Sequence, residues 1–355
     1  MKASRTFHAP KVLPALVLLV LTGFSAHADM RDLAFHVAAY SKESPVVDGR
    51  LDDPAWKQAD ACAAYYVYNQ PNPEPGALNS ELRMLWNEQG LFVSIANFDA
   101  NMAAIRDKCD MRDSPELWQD DCAELYFDPG ADSIGFTKFT VNALGTLGDM
   151  RRVDAAVTLS DWNASGVQVA TRRNADSWNI EMFIPWSDLG KAATAGSIWK
   201  FCHVRYSWSS GKFVGATSSP GGSNTTPGNF GYLYFAETAN PDRSVIAAAL
   251  AKMAAPPWSL PMDNGLLICE NGQPVFEELS ALVAKEQAQL KIKFAELSKN
   301  IKGVESPELS KSFLAVQGRM ASAPTTPATL QGLKSLKTLN AELADLNSRV
   351  ELERL

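Results

Sequence analysis

The residues with the clearest potential for chemistry lie in the stretch 118–128, which reads Trp-Gln-Asp-Asp-Cys-Ala-Glu-Leu-Tyr-Phe-Asp. If a strand begins near Asp121, its side chains alternate between two faces. One face then carries Cys122, Glu124 and Tyr126, and the inward face carries Ala123, Leu125 and Phe127. The indole of Trp118 beside the first face can lie flat on a pyranose ring, while carboxylates accept hydrogen bonds from sugar hydroxyls. Taken alone, these residues fit a structural role better, in which Trp118 closes the end of a sandwich and the acids are solvated.

Short alternating or apolar runs surround this stretch between about Val46 and Ala236. They recur every 8 to 15 residues, at 82–86, 91–98, 122–127, 136–141, 167–171, 178–184, 199–206 and 230–235. Alternation is clearest in 178–184, where Trp178, Ile180, Met182 and Ile184 share one face, as a half-buried strand requires. Many short strands with few helical periods between them favour an antiparallel sandwich over a βαβ fold. We therefore predict a mainly β fold, an antiparallel β-sandwich, followed by an α-helical C-terminal region.

The chain changes character after residue 239. Residues 240–275 contain five prolines and one short helical stretch near 244–253, which indicates a linker or a strap on the sandwich. From residue 276 the apolar period becomes 3.5, with a seven-residue repeat of Phe276, Val283, Leu290 and Leu297. Ser306-Pro307 and Thr326-Pro327 are start signals for two further helices. We predict that 276–355 forms a helical tail, either a bundle or an oligomerising coiled coil.

The first 28 residues have the three parts of a secretory signal peptide. Lys2, Arg5 and Lys11 make a basic region, 12–24 is apolar, and Ala26-His27-Ala28 supplies a small-x-small cleavage pattern. Thirteen apolar residues are too few to cross a bilayer. We therefore expect an exported protein, periplasmic or extracellular, without a membrane anchor.

Net charge and cysteine content limit the kinds of partner and of site that we expect. Cleavage after residue 28 leaves 327 residues and removes three basic residues and no acidic one, so the net charge changes from −7 to −10. An acidic exported chain without a basic cluster argues against nucleic acid and anionic membrane surfaces as partners. Five cysteines remain, without the spacing of a zinc site. Export permits disulfides, and Cys109 and Cys122, which flank one loop, are the pair that we predict.

Seven motifs between about residues 42 and 237 resemble, in order, those of the family 9 carbohydrate-binding modules. They are Asp48-Gly49 to Trp56, Trp86 with Gly90-Leu91-Phe92-Val93, Trp118 to Glu124, Phe139 to Gly145, Trp178 to Leu189, Trp199 to Arg205, and Phe230-Gly231-Tyr232-Leu233. The resemblance implies a jelly-roll-like or DOMON-like sandwich over residues 29–239. It also implies non-catalytic binding of a poly- or oligosaccharide, with an association with glycoside hydrolysis and carbohydrate catabolism.

The same resemblance suggests site residues. In family members that bind sugar, two tryptophans clamp the ring and polar residues on the sheet bind its hydroxyls. Trp118 falls on the first clamp position, Glu124 on an acidic binding position, and Asn142 on the strand that faces the same site. The second clamp position, shortly before Phe230, lacks an aromatic residue, so binding is expected to be weak, with a Kd of roughly 1 mM. Tyr126, Tyr206 and Trp208 are candidates to replace the missing clamp, and Asp121 is a further candidate contact for the sugar.

Departures at other positions leave the fold unaffected but the ligand open. Thr140 and Cys202 stand where the family has other polar residues. No cofactor is expected with certainty, although a structural calcium ion is plausible for the fold, with Asp99, Asp120 and Asp121 as its candidate ligands.

Three alternative functions remain open. A glycosidase, or an accessory subunit of one, could use Glu124 with Asp121 or Asp128 as acid and base. A haem-binding electron-transfer protein would need axial ligands, for which His203 beside Met182 is the defensible pair. A structural or adaptor protein could act through residues 276–355, by self-association or by binding a partner protein.

Overall fold

The computed structural model describes residues 30–70, 76–221 and 224–354. The signal peptide predicted for residues 1–28 lies outside the described residues and stays a prediction. Among the helices in these three ranges, none has the length and apolar character needed to cross a membrane.

Strands dominate the chain up to residue 236. They are β1 (Arg31–Asp32), β2 (Phe35–Tyr40), β3 (Tyr66–Val67), β4 (Asn79–Trp86), β5 (Gly90–Phe98), β6 (Cys122–Asp128), β7 (Phe136–Asn142), β8 (Leu147–Arg152), β9 (Thr158–Leu159), β10 (Gln168–Arg173), β11 (Ser177–Pro185), β12 (Ile198–Ser207), β13 (Val214–Thr217) and β14 (Gly231–Ala236), with the short helix α1 (Trp186–Leu189) after β11. Every run that the sequence predicts as a strand forms one, because alternation reports directly on which residues one sheet face must bury.

One curled sheet supplies both layers of the sandwich, in the order β10-β11-β5-β4-β2-β14-β12-β6-β7-β8-β9. Neighbouring strands along this path are antiparallel except at β2, which runs parallel to both β14 and β4. β12 is long enough to pair with β14 over its first part and with β13 over its last part, while β6 runs along its other side. The predicted mainly β sandwich is confirmed, and the two parallel pairings of β2 are its departure from a purely antiparallel arrangement.

The apolar core lies between the two layers. Leu125 and Phe127 of β6 face Trp178, Ile180 and Met182 of β11 across it. Burying each large apolar side chain contributes roughly 1.5–3 kcal/mol to folding. Cys122 and Tyr126 lie on the outer side of β6, so the predicted alternation of this strand is confirmed.

A loop segment before β3 covers the outer face of the layer that contains β11. Glu181 of β11 accepts hydrogen bonds there from the backbone N–H groups of Asp48 (3.0 Å) and Gly49 (2.7 Å) and from the indole N–H of Trp56 (2.8 Å). Gly49 has a φ of 82°, and a Cβ at this position would lie 2.9 Å from the carbonyl carbon of Thr171. The Asp-Gly to Trp motif therefore closes this face of the sandwich.

Residues 240–275, for which the prolines predict a linker or a strap on the sandwich, are folded. They form α2 (Arg243–Met253), where a helical stretch was expected, and a hairpin of β15 (Trp258–Met262) and β16 (Gly265–Cys269). With β1 and β17 (Val275–Glu278) the hairpin makes a second sheet, ordered β1-β15-β16-β17. The hairpin folds because Trp258, Leu260 and Leu267 pack against α2 and form an apolar core with it. The prolines of this region lie at the edge of that core.

The C-terminal tail is a bundle of α3 (Leu279–Asn300), α4 (Pro307–Met320) and α5 (Leu330–Glu353). Its seam residues, including Val283, Leu290 and Leu297, are buried against leucines of α5 within the same chain. The rings of Phe294 and Phe313 stack at 5.6 Å between α3 and α4. The heptad pattern therefore serves an intrachain core, and self-association of the tail stays a prediction.

Candidate functional site

A cleft of about 240 Å³ opens on the outer face of the layer formed by β6, β7 and β12. Glu124 of β6 and Lys138 and Thr140 of β7 line it, together with Met150 of β8. Register explains the grouping, because Glu124 lies directly opposite Thr140, and Lys138 is the next residue of β7 on the same face.

Trp118 lies at the rim of this cleft, on a single 3₁₀ turn that spans Leu117–Gln119. Leu117 is buried and fixes the turn to the sandwich, whereas 46% of the Trp118 surface is exposed. The backbone N–H of Asp120 donates to the carbonyl of Leu117 (3.2 Å) and closes the turn. The sequence therefore places an accessible indole face beside the cleft, as a stacking role requires.

Glu124 is buried in the floor and accepts four hydrogen bonds. The donors are the hydroxyl of Tyr126 (2.5 Å), the ammonium of Lys138 (3.1 Å), the hydroxyl of Thr140 (3.3 Å) and the amide of Asn224 (3.3 Å). Burial, and then the neighbouring Glu124 carboxylate, raise the pKa of Tyr126 well above its usual value. Lys138 keeps 24% of its side chain exposed. The floor thus offers a ligand an ammonium donor, which the Glu124 carboxylate holds in place.

The acidic residues just before β6 hold loops in place. Asp121 accepts hydrogen bonds from the backbone N–H groups of Arg106 (2.8 Å) and Trp208 (3.2 Å). Asp120 accepts them from the N–H of Cys109 (2.8 Å) and the amide of Asn142 (3.0 Å). Burial raises the pKa of Asp121 despite these donors. Both residues position the cleft's surroundings, and Asp121 does so for Trp208 directly.

The calcium prediction gains no support from this arrangement. Asp99, the third candidate ligand, pairs with the guanidinium of Arg205 (3.2 Å) and accepts a hydrogen bond from Ser209 (2.8 Å). Across the described ranges, no group of three or more His, Cys, Asp or Glu side chains is placed to hold a metal ion.

Asn142 is part of a turn instead of the cleft. Its amide donates to the carbonyl of Cys109 (2.7 Å) and to Asp120, and its oxygen accepts from the N–H groups of Leu144 (3.2 Å) and Thr146 (2.8 Å). These bonds use every donor and acceptor of the amide that a ligand would need. Gly145, with a φ of 94°, completes the turn between β7 and β8. Phe139 to Gly145 is therefore a structural motif here.

The three other aromatic candidates differ in accessibility. Tyr126 and Tyr206 are buried, and both hydroxyls accept from the amide of Asn224, at 2.7 and 3.2 Å. Trp208 lies beside Trp118 with 6.2 Å between ring centroids and 50° between planes. Trp208 is thus the aromatic residue that contacts Trp118, whereas the two tyrosines lie below the surface.

Sequence reasoning missed three residues that shape this region. Lys138 was detectable, because strand alternation from Thr140 places it on the face of Glu124. Asn224 and Phe213 lie in loops, and their positions depend on how distant segments meet. Phe213 is 39% exposed and lies 5.3 Å from Trp208 between centroids.

The disulfide predicted between Cys109 and Cys122 is wrong, because all five cysteines are free thiols. Cys122 is fully buried with Tyr126 on the outer side of β6. Cys109 lies in a loop, with its thiol 3.8 Å from the carbonyl of Met111. Proximity along the sequence does not fix the direction of side chains, which a disulfide requires.

The residues proposed for catalysis or haem binding have other partners. Glu124 and Asp128 are four residues apart on one strand, or about 13 Å at about 3.3 Å per residue, beyond the roughly 9.5 Å limit for a glycosidase pair. Asp121, the other candidate, is bonded to two backbone N–H groups. His203 is fully buried with its Nδ1 2.7 Å from the hydroxyl of Tyr65, an arrangement typical of a hydrogen-bonded core histidine.

A larger cavity, of about 700 Å³, lies between the sandwich, the second sheet and α5. Its walls mix aliphatic side chains, such as Leu78, Leu266 and Leu333, with polar ones. The smaller cleft at Trp118 differs in having an exposed tryptophan ring at its rim, beside charged groups. We therefore place the candidate site at the Trp118 cleft.

Residues 47–205 match the model of the family described as carbohydrate family 9 binding domain-like. The resemblance inferred from the sequence motifs is confirmed over these residues, and the match supports a carbohydrate-binding role for the sandwich. A comparison with curated proteins gives no match.

Two solved structures are similar to this chain. One is a family 9 carbohydrate-binding module from Caldicellulosiruptor kristjanssonii in complex with cellotriose, 17% identical, with a TM-score of 0.44 over 59% of this chain and 96% of that chain. The other is a putative carbohydrate-binding protein from Bacteroides uniformis, 15% identical, with a TM-score of 0.48 over 57% of this chain and 100% of that chain.

Proposed function

We propose that this chain is an exported, non-catalytic carbohydrate-binding protein whose sugar stacks on Trp118. The observation that carries the proposal is an exposed indole beside a cleft with a buried, charge-paired floor. The ring supplies an apolar face for the C–H side of a pyranose. Lys138, held in place by Glu124, supplies a hydrogen-bond donor for a neighbouring hydroxyl.

The geometry also sets the expected strength of binding. One indole wall and a 240 Å³ cleft bury little of a ligand. Ordering the ligand and desolvating its hydroxyls offset much of the contact energy. A Kd of roughly 1 mM for a single sugar unit follows, or about 4 kcal/mol.

The test compares Trp118→Ala with the parent protein. A glycan array identifies the bound sugar, and isothermal titration calorimetry then measures its affinity. Loss of the stacking face should weaken binding at least about tenfold, or roughly 1.4 kcal/mol. Ile292→Ala on α3 removes another exposed apolar side chain, 69% exposed, and should bind as the parent does.

Three outcomes would contradict the proposal. The first is a parent protein that binds no glycan. The second is a Trp118→Ala variant with parental affinity. The third is release of reducing ends that Glu124→Gln abolishes, because it would make the protein an enzyme. Export is tested separately, by sequencing the N-terminus of the protein recovered outside the cytoplasm, which should begin at Asp29.

A further inference from the structure

We infer that Trp208 and Phe213 extend the site beyond the cleft, so that its ligand is a chain of several sugar units instead of a single terminal sugar. This inference rests on the proposed function and concerns the same site. Three observations support it: the spacing of the indoles, the continuity of the aromatic surface, and the bonds that hold it rigid.

The spacing of Trp118 and Trp208 excludes a two-walled clamp. A sugar held between two rings contacts each at about 3.5–4 Å, so the rings would be nearly parallel and about 7–8 Å apart. The observed centroids are 6.2 Å apart, and the planes are inclined by 50°. The two indoles touch each other and leave no slot for a ring. They therefore present adjoining surfaces.

The aromatic surface continues past Trp208. Phe213 packs against Trp208 and against Tyr206, each at 5.3 Å between ring centroids. Trp118 and Phe213, at the two ends of the row, are 46% and 39% exposed. Exposed apolar side chains usually occur singly, so a contiguous aromatic row beside a cleft indicates a binding surface. A row longer than one sugar ring suits successive units of a glycan chain.

Three interactions hold Trp208 in place. Its backbone N–H donates to Asp121 (3.2 Å), its indole N–H donates to the carbonyl of Trp118 (3.4 Å), and the guanidinium of Arg106 lies 5.3 Å from its ring centroid. Asn101 also donates to the carbonyl of Ser209 (3.1 Å) in the same loop. A row fixed before binding loses little entropy when a chain docks on it.

The experiment measures affinity against chain length. A glycan array presents each linkage as a mono-, tri- and hexasaccharide, and tryptophan fluorescence titration then follows the series that is retained. We expect the hexasaccharide to bind about tenfold more tightly than the monosaccharide, since each added stacking contact contributes up to roughly tenfold. Phe213→Ala should remove most of that difference and leave the monosaccharide affinity within about twofold.

Matched variants separate the outcomes. Phe213→Leu keeps apolar burial against Tyr206 but lacks a flat ring, so it should behave like Phe213→Ala. Leu159→Ala, on β9 and 41% exposed, should leave both affinities unchanged. Equal affinity for monosaccharide and hexasaccharide, or a parental chain-length dependence in Phe213→Ala, overturns the inference while leaving the proposed function intact. Retention of no glycan at all overturns the proposed function itself.

Discussion

The two outer faces of the sandwich each carry a buried glutamate with several hydrogen-bond donors, yet they differ in accessibility. Glu181 receives two backbone N–H groups and the Trp56 indole beneath a covering loop. Glu124 receives four side-chain donors, one of them the partly exposed Lys138, and borders an open cleft. Burial and hydrogen bonding are shared, so neither marks a binding site. What distinguishes the second face is access from solvent beside an exposed ring.

This difference affects how the family motifs are interpreted. The Asp48 to Trp56 motif closes the face of Glu181, and the Phe139 to Gly145 motif builds a turn around Asn142. Recognising these motifs identifies the scaffold but says little about the ligand. The stretch from Trp118 to Glu124 places the exposed ring and the floor glutamate at the cleft, to which Phe139 to Gly145 adds Thr140.

The largest expected effect comes from Glu181→Ala. The change leaves three donors without a partner and a space under the loop, so the free energy of unfolding should fall by about 4 kcal/mol, at roughly 1.5–3 kcal/mol for each bond to a charged group before non-additivity. Urea denaturation measures the change. Sugar affinity of the folded fraction should stay within about twofold of the parent.

The exposed Glu270→Ala is the matched control and should change stability by under about 0.5 kcal/mol. Strong loss of sugar binding in folded Glu181→Ala would break the comparison, because the closed face would then serve the site.

Low pH should destabilise the protein through two histidines buried in the interior between the two faces. Burial lowers the pKa of His36 to about 4 and that of His203 to about 3. In the unfolded chain both take up protons near pH 6.5, so the stability that they confer is complete above that pH and declines toward the folded values. As the pH falls from about 7 to about 5, each histidine should lower the free energy of unfolding by about 2 kcal/mol.

His36→Leu isolates this effect, since both nitrogens of His36 lack a hydrogen-bond partner and little is lost at neutral pH. Buried carboxyl groups such as Asp121 and Asp128, whose pKa values are raised, act in the opposite direction in parent and variant alike. Urea denaturation at both pH values should show about 2 kcal/mol less acid sensitivity in the variant. Identical acid sensitivity would exclude a neutral, buried His36.

Glu124→Gln should have the smallest effect on stability and a measurable one on binding. The amide keeps the shape of the side chain but removes the charge paired with Lys138, at a cost of about 1 kcal/mol to each property. Calorimetric titration should therefore show about fivefold weaker sugar binding. Thr140→Val, which also removes one bond to Glu124, is the control for simple loss of a contact. Parental affinity in Glu124→Gln would leave Trp118 as the sole determinant.

Much of the fold was predictable, because a strand with one buried face has apolar residues at every second position. β6 shows this best: Ala123, Leu125 and Phe127 enter the core, and Cys122 and Tyr126 take the other side. The helical tail was predictable for the same reason, with a period near 3.5. β1 and β2 were not predicted, because their pairings with β15 and β14 join residues more than 190 positions apart.

The site was only partly predictable. Trp118 and Glu124 lie within one short stretch, so their grouping follows from strand geometry alone. Asn142 and the pair Cys109 and Cys122 were misplaced, since a turn's hydrogen bonds and a side chain's direction are set by neighbours in space. Phe213 and Asn224 reach the site from loops.

The sequence by itself determined the β-sandwich, the helical tail, and the presence of one indole beside a carboxylate-bearing strand, because periodic burial and local spacing are properties of neighbouring residues. Tertiary structure alone decided that a loop covers Glu181 while the buried Glu124 borders an open cleft, and that Trp208 adjoins Trp118 instead of facing it. Those outcomes depend on which distant loops pack over each face, and no local pattern encodes that packing.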